Sequence, residues 1–217
     1  MSIQVGQAAL FTDVVQERHS VRKYDPSWTI SREEMAELLQ EATLAPSGAN
    51  LQPWRFLVID EAELKQKLLP IAFNQEQVVQ ASAIVAVLGD LKAIDKAEQI
   101  YSAAVEAGYM NEQVKAQVLN NLRRFYADPA SEAVKRSVLI DGGLVSMQLM
   151  LSAKARGYDT VPMAGYDEQA LRNALQISDR YAVVMLIAVG KAAQQAHKTV
   201  RLPVEEVIFR NAMPEEA

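Results

Sequence analysis

The stretch from Val138 to Tyr158 constrains the fold more than any other part of this 217-residue sequence. It has helical character, and between Asp141 and Lys154 it carries no charge. A helix that is apolar on every side is buried rather than laid on a surface. The uncharged run is also shorter than the roughly 20 residues that cross a bilayer. The sequence therefore predicts a central buried helix in the core of a soluble domain.

The predicted helix contains two adjacent glycines and, at its C-terminal end, basic residues. Gly142 and Gly143 each cost about 1 kcal/mol relative to alanine inside a helix, so we expect another backbone or a flat ligand to approach there. Lys154 and Arg156 suit the negative end of a helix, and Gly157 suits a left-handed stop. Packing alone also explains the helix, so the chemistry is sought in the loops around it.

Composition limits the classes of function. Half of the residues are hydrophobic, and no linker or repeat divides residues 1–217, which predicts one domain. The net charge of −5 argues against a nucleic-acid partner. With no cysteine and only His19 and His197 as histidines, the sequence offers no disulfide, thiol nucleophile or metal pattern. The first residues lack the features of a signal peptide, which makes a cytoplasmic protein without a membrane partner the expectation.

The remaining pattern alternates helices and strands and predicts an α+β fold. An amphipathic helix is expected over residues 8–18, and Ser31 and Glu34 form a capping-box pattern before a second helix. Shorter helices are expected at 61–69, after Phe73, after Asp167 and after Pro203. Strands are expected at residues 54–59, 83–88, 158–163 and 182–190, of which the second and fourth are continuously apolar.

A polar helical excursion covers residues 91–135 and is broken at Gly108 and at Asp128-Pro129. It carries four aromatic residues: Tyr101, Tyr109, Phe125 and Tyr126. The excursion is either a pair of surface helices or a lid over a flat substrate.

Basic residues cluster near both ends of this acidic chain. Arg18-His19-Ser20-Val21-Arg22-Lys23 follows the first helix, and Lys191, His197, Lys198 and Arg201 lie before Leu202-Pro203. Either cluster alone reads as a solvated basic turn. Together they are consistent with one shared anion site, because arginine and serine are phosphate-binding residues.

A third candidate segment is the loop from Ala45 to Trp54. Two prolines, a glycine and Asn50 favour an irregular backbone that can direct N–H groups and side chains at a ligand.

In this order and spacing the segments resemble the FMN-dependent nitroreductases, and most closely their small bacterial NAD(P)H-dependent branch. The resemblance rests on RHSVR, PSGANLQPWRF, the Phe73-Asn74 pair, IDGGLVSMQLML, VPMAGY and the basic residue before Leu-Pro. It implies a three-layer α/β/α sandwich with a mostly antiparallel sheet. It also implies a homodimer that binds FMN noncovalently at its interface.

The resemblance assigns roles residue by residue. The positions that match the phosphate site are Arg18, His19, Ser20, Lys198 and Arg201. The positions that match contacts with the flavin ring are Arg22 near N1 and O2, Asn74 at the pyrimidine edge, and Pro162, Met163 and Gly165 along the ring, with a backbone N–H near N5. The positions that match contacts from the partner subunit are Ser47 and Asn50, and Pro46 beside them is a further candidate for binding the cofactor. Arg22 and Gly165 are the residues expected to tune the flavin.

Two positions depart from the family pattern. Ala164 stands where some members carry a glutamate beside N5, and Gln77 stands where they carry a lysine near O2.

The implied activity is hydride transfer from NAD(P)H through FMN to nitroaromatics, quinones or other flat acceptors by a ping-pong mechanism. Such an enzyme needs no catalytic acid, base or metal of its own. A flavin reductase, an enone or aldehyde reductase, a dehalogenase and a non-catalytic flavin carrier are the alternatives.

Overall fold

The computed structural model describes residues 10–213, which form eight α-helices around a four-stranded sheet. The helices are α1 (Phe11–Glu17), α2 (Arg32–Ala42), α3 (Ala62–Ile71), α4 (Gln77–Gln80), α5 (Ala97–Glu106), α6 (Glu112–Phe125), α7 (Glu132–Ala155) and α8 (Glu168–Leu175). The strands are β1 (Trp54–Ile59), β2 (Ala83–Asp90), β3 (Asp159–Met163) and β4 (Tyr181–Gly190). Short 3₁₀ turns occupy Gly48–Asn50, Ala93–Lys96 and Val204–Glu206.

The sheet has the order β1-β2-β4-β3, and each of these neighbouring pairs is antiparallel. Both inner strands are rich in β-branched residues, and all eight residues of β2 are buried. Ile84 and Ala86 of β2 face a core formed with α3, α4 and α8. Val85 and Val87 face the opposite core, formed with α2 and α7. The three layers and the antiparallel sheet agree with the prediction.

Local sequence signals predicted most of the helix and strand boundaries correctly. β1 has the predicted bounds, and the Ser31 hydroxyl accepts from the backbone N–H of Glu34 at 3.1 Å as a capping box requires. Gly157 ends α7 with a φ of 74°. Helix α1 covers only Phe11–Glu17 of the predicted 8–18, where residues 8 and 9 lie outside the described part of the chain. Helix α3 continues past the predicted end at residue 69 to Ile71.

The prediction that α7 is buried on every side is wrong for a single chain. The helix lies on one side of the sheet, where it packs on β2 and β4 and is flanked by α1 and α2. Val145 and Leu149 are fully buried there. The opposite side exposes an apolar stripe of Leu139 (43%), Ile140 (57%), Leu144 (43%) and Met147 (40%). Among the described residues α7 alone is long and apolar enough to cross a membrane, and half of its most apolar window is buried, as in the core helix of a soluble protein.

The two glycines of α7 differ in their surroundings. A Cβ added at Gly142 would lie 2.5 Å from a methyl carbon of Val184 in β4, so this glycine lets the helix pack closely on the sheet. A Cβ at Gly143 would meet no other atom of the described chain within 4 Å. Within the described chain a close approach is therefore found at Gly142, and the Val184 side chain makes it instead of the expected backbone.

The excursion consists of the 3₁₀ turn Ala93–Lys96, α5 and α6, and its last four predicted residues, 132–135, belong to α7 instead. It has a small core of its own, in which Tyr101 and Tyr126 pack with Leu51 and with the first turns of α7. The excursion is thus anchored on the loop that precedes β1. Its other two aromatic residues, Tyr109 and Phe125, are exposed.

A buried ion-pair cluster closes the end of the sheet next to this excursion. The Asp90 side chain is 1% exposed and accepts from Arg180 at 2.8 Å and from Arg55 at 3.1 Å. Burial by itself raises the pKa of Asp90, but the Arg180 hydrogen bonds, the Lys92 backbone N–H and the Arg55 charge together hold the pKa below its ordinary value of 3.8. A lowered pKa in the folded state means that this carboxylate stabilises the fold at neutral pH and loses that contribution as the pH falls through the folded-state pKa.

We expect Asp90→Asn to lower the free energy of unfolding by about 2 to 4 kcal/mol at pH 7, because two guanidinium groups lose their buried partner. The expected loss is smaller than the loss on breaking a fully buried ion pair, because both arginine side chains are 36% exposed. Asp60→Asn is the matched control, since its pair with Arg32 is exposed and 4.0 Å long and should change stability by less than about 0.5 kcal/mol. Urea unfolding of both variants measures the difference, and equal effects would contradict a stabilising role for the cluster.

Candidate functional site

The first basic cluster lies along the edge of the sheet beside β3. Ser20 forms a parallel bridge with Thr160, and the backbone N–H of Val21 donates to the Thr160 carbonyl at 3.1 Å. Val21 and Tyr24 are buried, so the exposed side chain of Arg22 is held on the outer side of this segment. Burial, reinforced by the nearby Asp159 charge, raises the pKa of the Tyr24 hydroxyl, and Arg22 opposes that shift.

The two basic clusters meet in one cavity of about 630 Å³, lined by His19 and Lys198 among others. In the described part of the chain, Arg18, His19, Arg22 and Lys198 form no ion pair. Arg201 lies on the exposed tail and donates to the Thr199 hydroxyl and the Val200 carbonyl, both at 2.9 Å. Of the residues predicted to share an anion site, His19 and Lys198 thus line one cavity, whereas Arg201 is not part of its lining.

The turn before α4 lies beside the end of β3. Asn74 has a left-handed φ of 57° and an exposed side chain. The Gln75 side-chain amide donates to the Gly165 carbonyl at 2.8 Å. Gln77 is buried, and its amide donates to the Gln75 side chain at 2.8 Å and to the Met163 sulfur at 3.5 Å. The turn and the residues after β3 therefore form one surface, in which Gln77 is bonded within the chain.

The residues that follow β3 leave this surface open. Ala164 and Gly165 are exposed and Pro162 is half-buried, while Met163 points into the core. The segment of Arg22 is bonded to β3 at Thr160 and the turn of Asn74 is bonded to Gly165, and the side chains of Arg22 and Asn74 are both exposed.

The third predicted segment lies elsewhere on the chain. Pro46 and Asn50 are exposed and Ser47 is half-buried, in the loop between α2 and β1. Asn50 also lines a cavity of about 750 Å³ along α5. Among the described residues no hydrogen bond or ion pair joins residues 46–52 to residues 18–22 or 162–165. One chain therefore presents two separate groups of predicted site residues.

A model of the Nitroreductase family matches residues 15–191, which include the basic segment, the turn before α4 and β3. The chain belongs to this family. It is 48% identical over 199 residues to a candidate NAD(P)H nitroreductase of Bacillus subtilis, YdgI, and the match covers 91% of this chain and 95% of that protein. It is 38% identical over 192 residues to the CLA biosynthesis enone reductase of Lactiplantibacillus plantarum, covering 87% and 88% of the two chains.

The nitroreductase fold is also found in solved structures. A candidate nitroreductase of Exiguobacterium sibiricum in complex with FMN superposes with a TM-score of 0.87 at 48% identity, covering 94% of this chain and 98% of that one. The family resemblance and the fold predicted from it are thereby confirmed.

Sequence reasoning passed over three residues of this nitroreductase-family chain that contact its site segments. Gln75 contacts Gly165, Tyr101 contacts the loop before β1, and Asp141 contacts the same loop from α7. The contacts of Tyr101 and Asp141 span 52 and 93 residues of sequence. No local sequence pattern indicates such contacts. The one available signal is Asp141, a single carboxylate at the edge of an uncharged helical run.

Proposed function

We propose that this protein is a cytoplasmic FMN-dependent oxidoreductase that takes hydride from NAD(P)H and reduces nitroaromatics, quinones or related flat acceptors. The observation that carries the proposal is the open strip after β3, flanked by cations that have no ion-pair partner in the described chain. An anionic cofactor with a flat ring system matches both features. The FMN complex of the Exiguobacterium relative and the name of YdgI support the same assignment.

The donor set fits FMN. A phosphate needs cations and hydroxyl donors, and Arg18, His19, Ser20 and Lys198 supply them from two segments that meet at one cavity. Asn74 would face the pyrimidine edge, and the backbone from Pro162 to Gly165 would lie along the ring. Bound FMN supplies the hydride chemistry, and the protein supplies binding, orientation and charge. Because NAD(P)H and acceptor use the same open strip in turn, ping-pong turnover follows.

The proposal includes a homodimer with two flavin sites. The apolar stripe of α7 is a continuous exposed surface, which in soluble proteins marks an interaction site. Helix α1 packs against α7 and adds exposed Leu10 and Phe11. Association through this surface allows Pro46, Ser47 and Asn50 of one chain to complete the site formed by Arg22, Asn74 and Gly165 of the other.

An enone is the second candidate acceptor. The enone reductase of Lactiplantibacillus plantarum is 38% identical to this chain, which is enough to support shared chemistry without fixing the substrate. Reduction of an enone uses the same donor and the same open strip, so only the residues around the acceptor distinguish the two substrates.

Anaerobic stopped-flow reduction of the purified protein, followed by a panel of acceptors, tests the function. We expect a yellow protein that releases FMN on heat denaturation. NADH or NADPH should bleach it, and menadione, a nitroaromatic or an enone should restore the colour. A protein that stays colourless after addition of FMN, or that releases FAD, would contradict the cofactor. A yellow protein that neither nicotinamide bleaches would be a flavin carrier.

A further inference from the structure

The loop of residues 47–52 has an unusual backbone that is held from three sides. Ala49, Asn50 and Gln52 all have left-handed φ values, of 50°, 52° and 49°. Residues other than glycine keep such a conformation only when their surroundings impose it. The Gly48 N–H donates to Asp141 of α7 at 3.0 Å, and the Tyr101 hydroxyl of α5 donates to the Ala49 carbonyl at 2.6 Å. From β1, Arg55 donates to the Gln52 carbonyl at 3.1 Å.

Asp141 is poorly explained as a packing residue. Its side chain is buried in an otherwise uncharged helical run, and residue exposure is only 4%. One oxygen accepts from Gly48, whereas Oδ2 is fully buried without a hydrogen-bond partner in the described chain. Burial raises the pKa of this carboxyl, opposed by the Gly48 hydrogen bond. Leaving a polar atom unpaired in the core destabilises a fold, so a carboxyl at this position calls for another role.

The contact lies between two site residues. The Gly48 amide follows Ser47 directly and precedes Ala49 and Asn50, so holding this N–H helps to fix the backbone that carries the Ser47 and Asn50 side chains. A Cβ at Gly48 would lie 3.6 Å from Asp141 Oδ2 and 3.4 Å from the Ser137 hydroxyl, which shows that the loop lies directly on α7. The Tyr101 hydroxyl of α5 fixes the carbonyl of Ala49, the residue after Gly48.

We propose that Asp141 is a positioning residue that, together with Tyr101, holds the 47–52 loop in the geometry with which Ser47 and Asn50 contact the flavin of the partner subunit. This inference rests on the proposed function. It assigns the excursion a defined task, since Tyr101 of α5 then helps to shape a site in the other subunit. It also explains why the core helix keeps a carboxyl that packing does not require.

Asp141→Ala and Tyr101→Phe test the proposal in the full-length protein. Each removes one hydrogen bond to the loop, and Tyr101→Phe removes a single oxygen atom. Tyr158→Phe is the matched control for Tyr101, because it deletes a 2.7 Å hydrogen bond from a buried tyrosine to Glu34, away from the loop. Ser146→Ala is the control for Asp141, because it deletes a buried 2.7 Å hydrogen bond within α7 itself.

The measurements are the dissociation constant of FMN, from quenching of flavin fluorescence, the visible circular dichroism of the bound flavin, and the melting temperature of the protein without FMN. We expect Asp141→Ala to weaken FMN binding about tenfold or more, the effect of losing a hydrogen bond to a charged group. Tyr101→Phe should weaken it about threefold to tenfold. Both should change the visible circular dichroism, and the two controls should change neither quantity.

Asp141→Asn provides a rescue, because its amide oxygen can accept the same Gly48 N–H. We expect its FMN affinity to return to within about threefold of the unmodified protein. Unchanged FMN affinity and circular dichroism in Asp141→Ala, even with a lower melting temperature, would overturn the proposal and leave Asp141 a structural residue. If Asp141→Ala does not fold, Tyr101→Phe decides alone, and behaviour identical to that of Tyr158→Phe overturns the proposal. An unmodified protein that binds no FMN would instead overturn the proposed function itself.

Discussion

Replacing Ile140 by glutamate is expected to give a monomer that no longer retains FMN. Ile140 is the most exposed member of the apolar stripe on α7, at 57%. Within a single chain its side chain faces outward, so the charge should be tolerated there. Buried between two copies, an unpaired carboxylate is strongly unfavourable. Because the monomer also lacks Ser47 and Asn50 from a second chain, we expect FMN binding to weaken by about two orders of magnitude, as for the loss of two or three hydrogen bonds.

Light scattering and fluorescence titration with FMN measure the two effects. Val114→Glu on α6 is the control, since it places the same charge at another exposed apolar side chain (42%) outside the stripe. Circular dichroism establishes whether the variant still folds. A folded Ile140→Glu variant that remains dimeric would show that the copies associate elsewhere, and a monomer with normal FMN affinity would show that the site is complete in one chain.

Arg22→Gln is expected to slow the reduction of bound flavin by NAD(P)H about 10²- to 10³-fold, the usual effect of removing one preorganised group that stabilises developing charge. Hydride delivery to the ring leaves negative charge at its N1 and C2=O edge, where the family resemblance places Arg22. A cation there favours the transition state over the oxidised ground state. Gln77, at the position of a lysine in relatives, is neutral and already bonded to Gln75 and Met163. Arg22 thus acts without a second cation from that position.

Stopped-flow reduction at saturating FMN separates this effect from binding. Arg18→Ala and Lys198→Ala remove proposed phosphate contacts and should weaken FMN binding more than Arg22→Gln does, with reduction rates close to normal once FMN is saturating. Lys23→Gln is the neighbouring control, since Lys23 is paired with Glu76 on the surface. A normal reduction rate for Arg22→Gln at full occupancy would make Arg22 a binding residue only.

The sequence predicted those features that depend on residues close together in the chain. The bounds of β1, the Ser31 capping box and the left-handed stop at Gly157 each follow from a few adjacent residues, and all are present. The excursion breaks at Gly108 as expected. The arrangement of site residues followed from the family resemblance rather than from periodicity, and the roles of those residues stay predictions.

Features that depend on distant contacts or on a second chain were beyond such reasoning. A helix that is apolar on every side gives no indication of which side meets its own sheet, so the exposed stripe around Ile140 could not be told from the core face of Val145. The buried position of Gln77 depends on Met163, 86 residues away. Charge and polarity identify such residues as candidates, but only the fold determines which of their groups are already bonded.

The left-handed residues of the 47–52 loop have a consequence for the stability of the whole protein. Each such residue other than glycine costs on the order of 1 kcal/mol, and Ala49, Asn50 and Gln52 together represent a sizeable share of the roughly 5–15 kcal/mol that keeps a domain folded. A variant selected only for heat resistance could gain from Ala49→Gly, because glycine adopts a left-handed φ without this cost, but glycine also leaves the loop freer to move. Thermal tolerance and cofactor retention are therefore opposing demands on the same six residues, and laboratory evolution for one should erode the other.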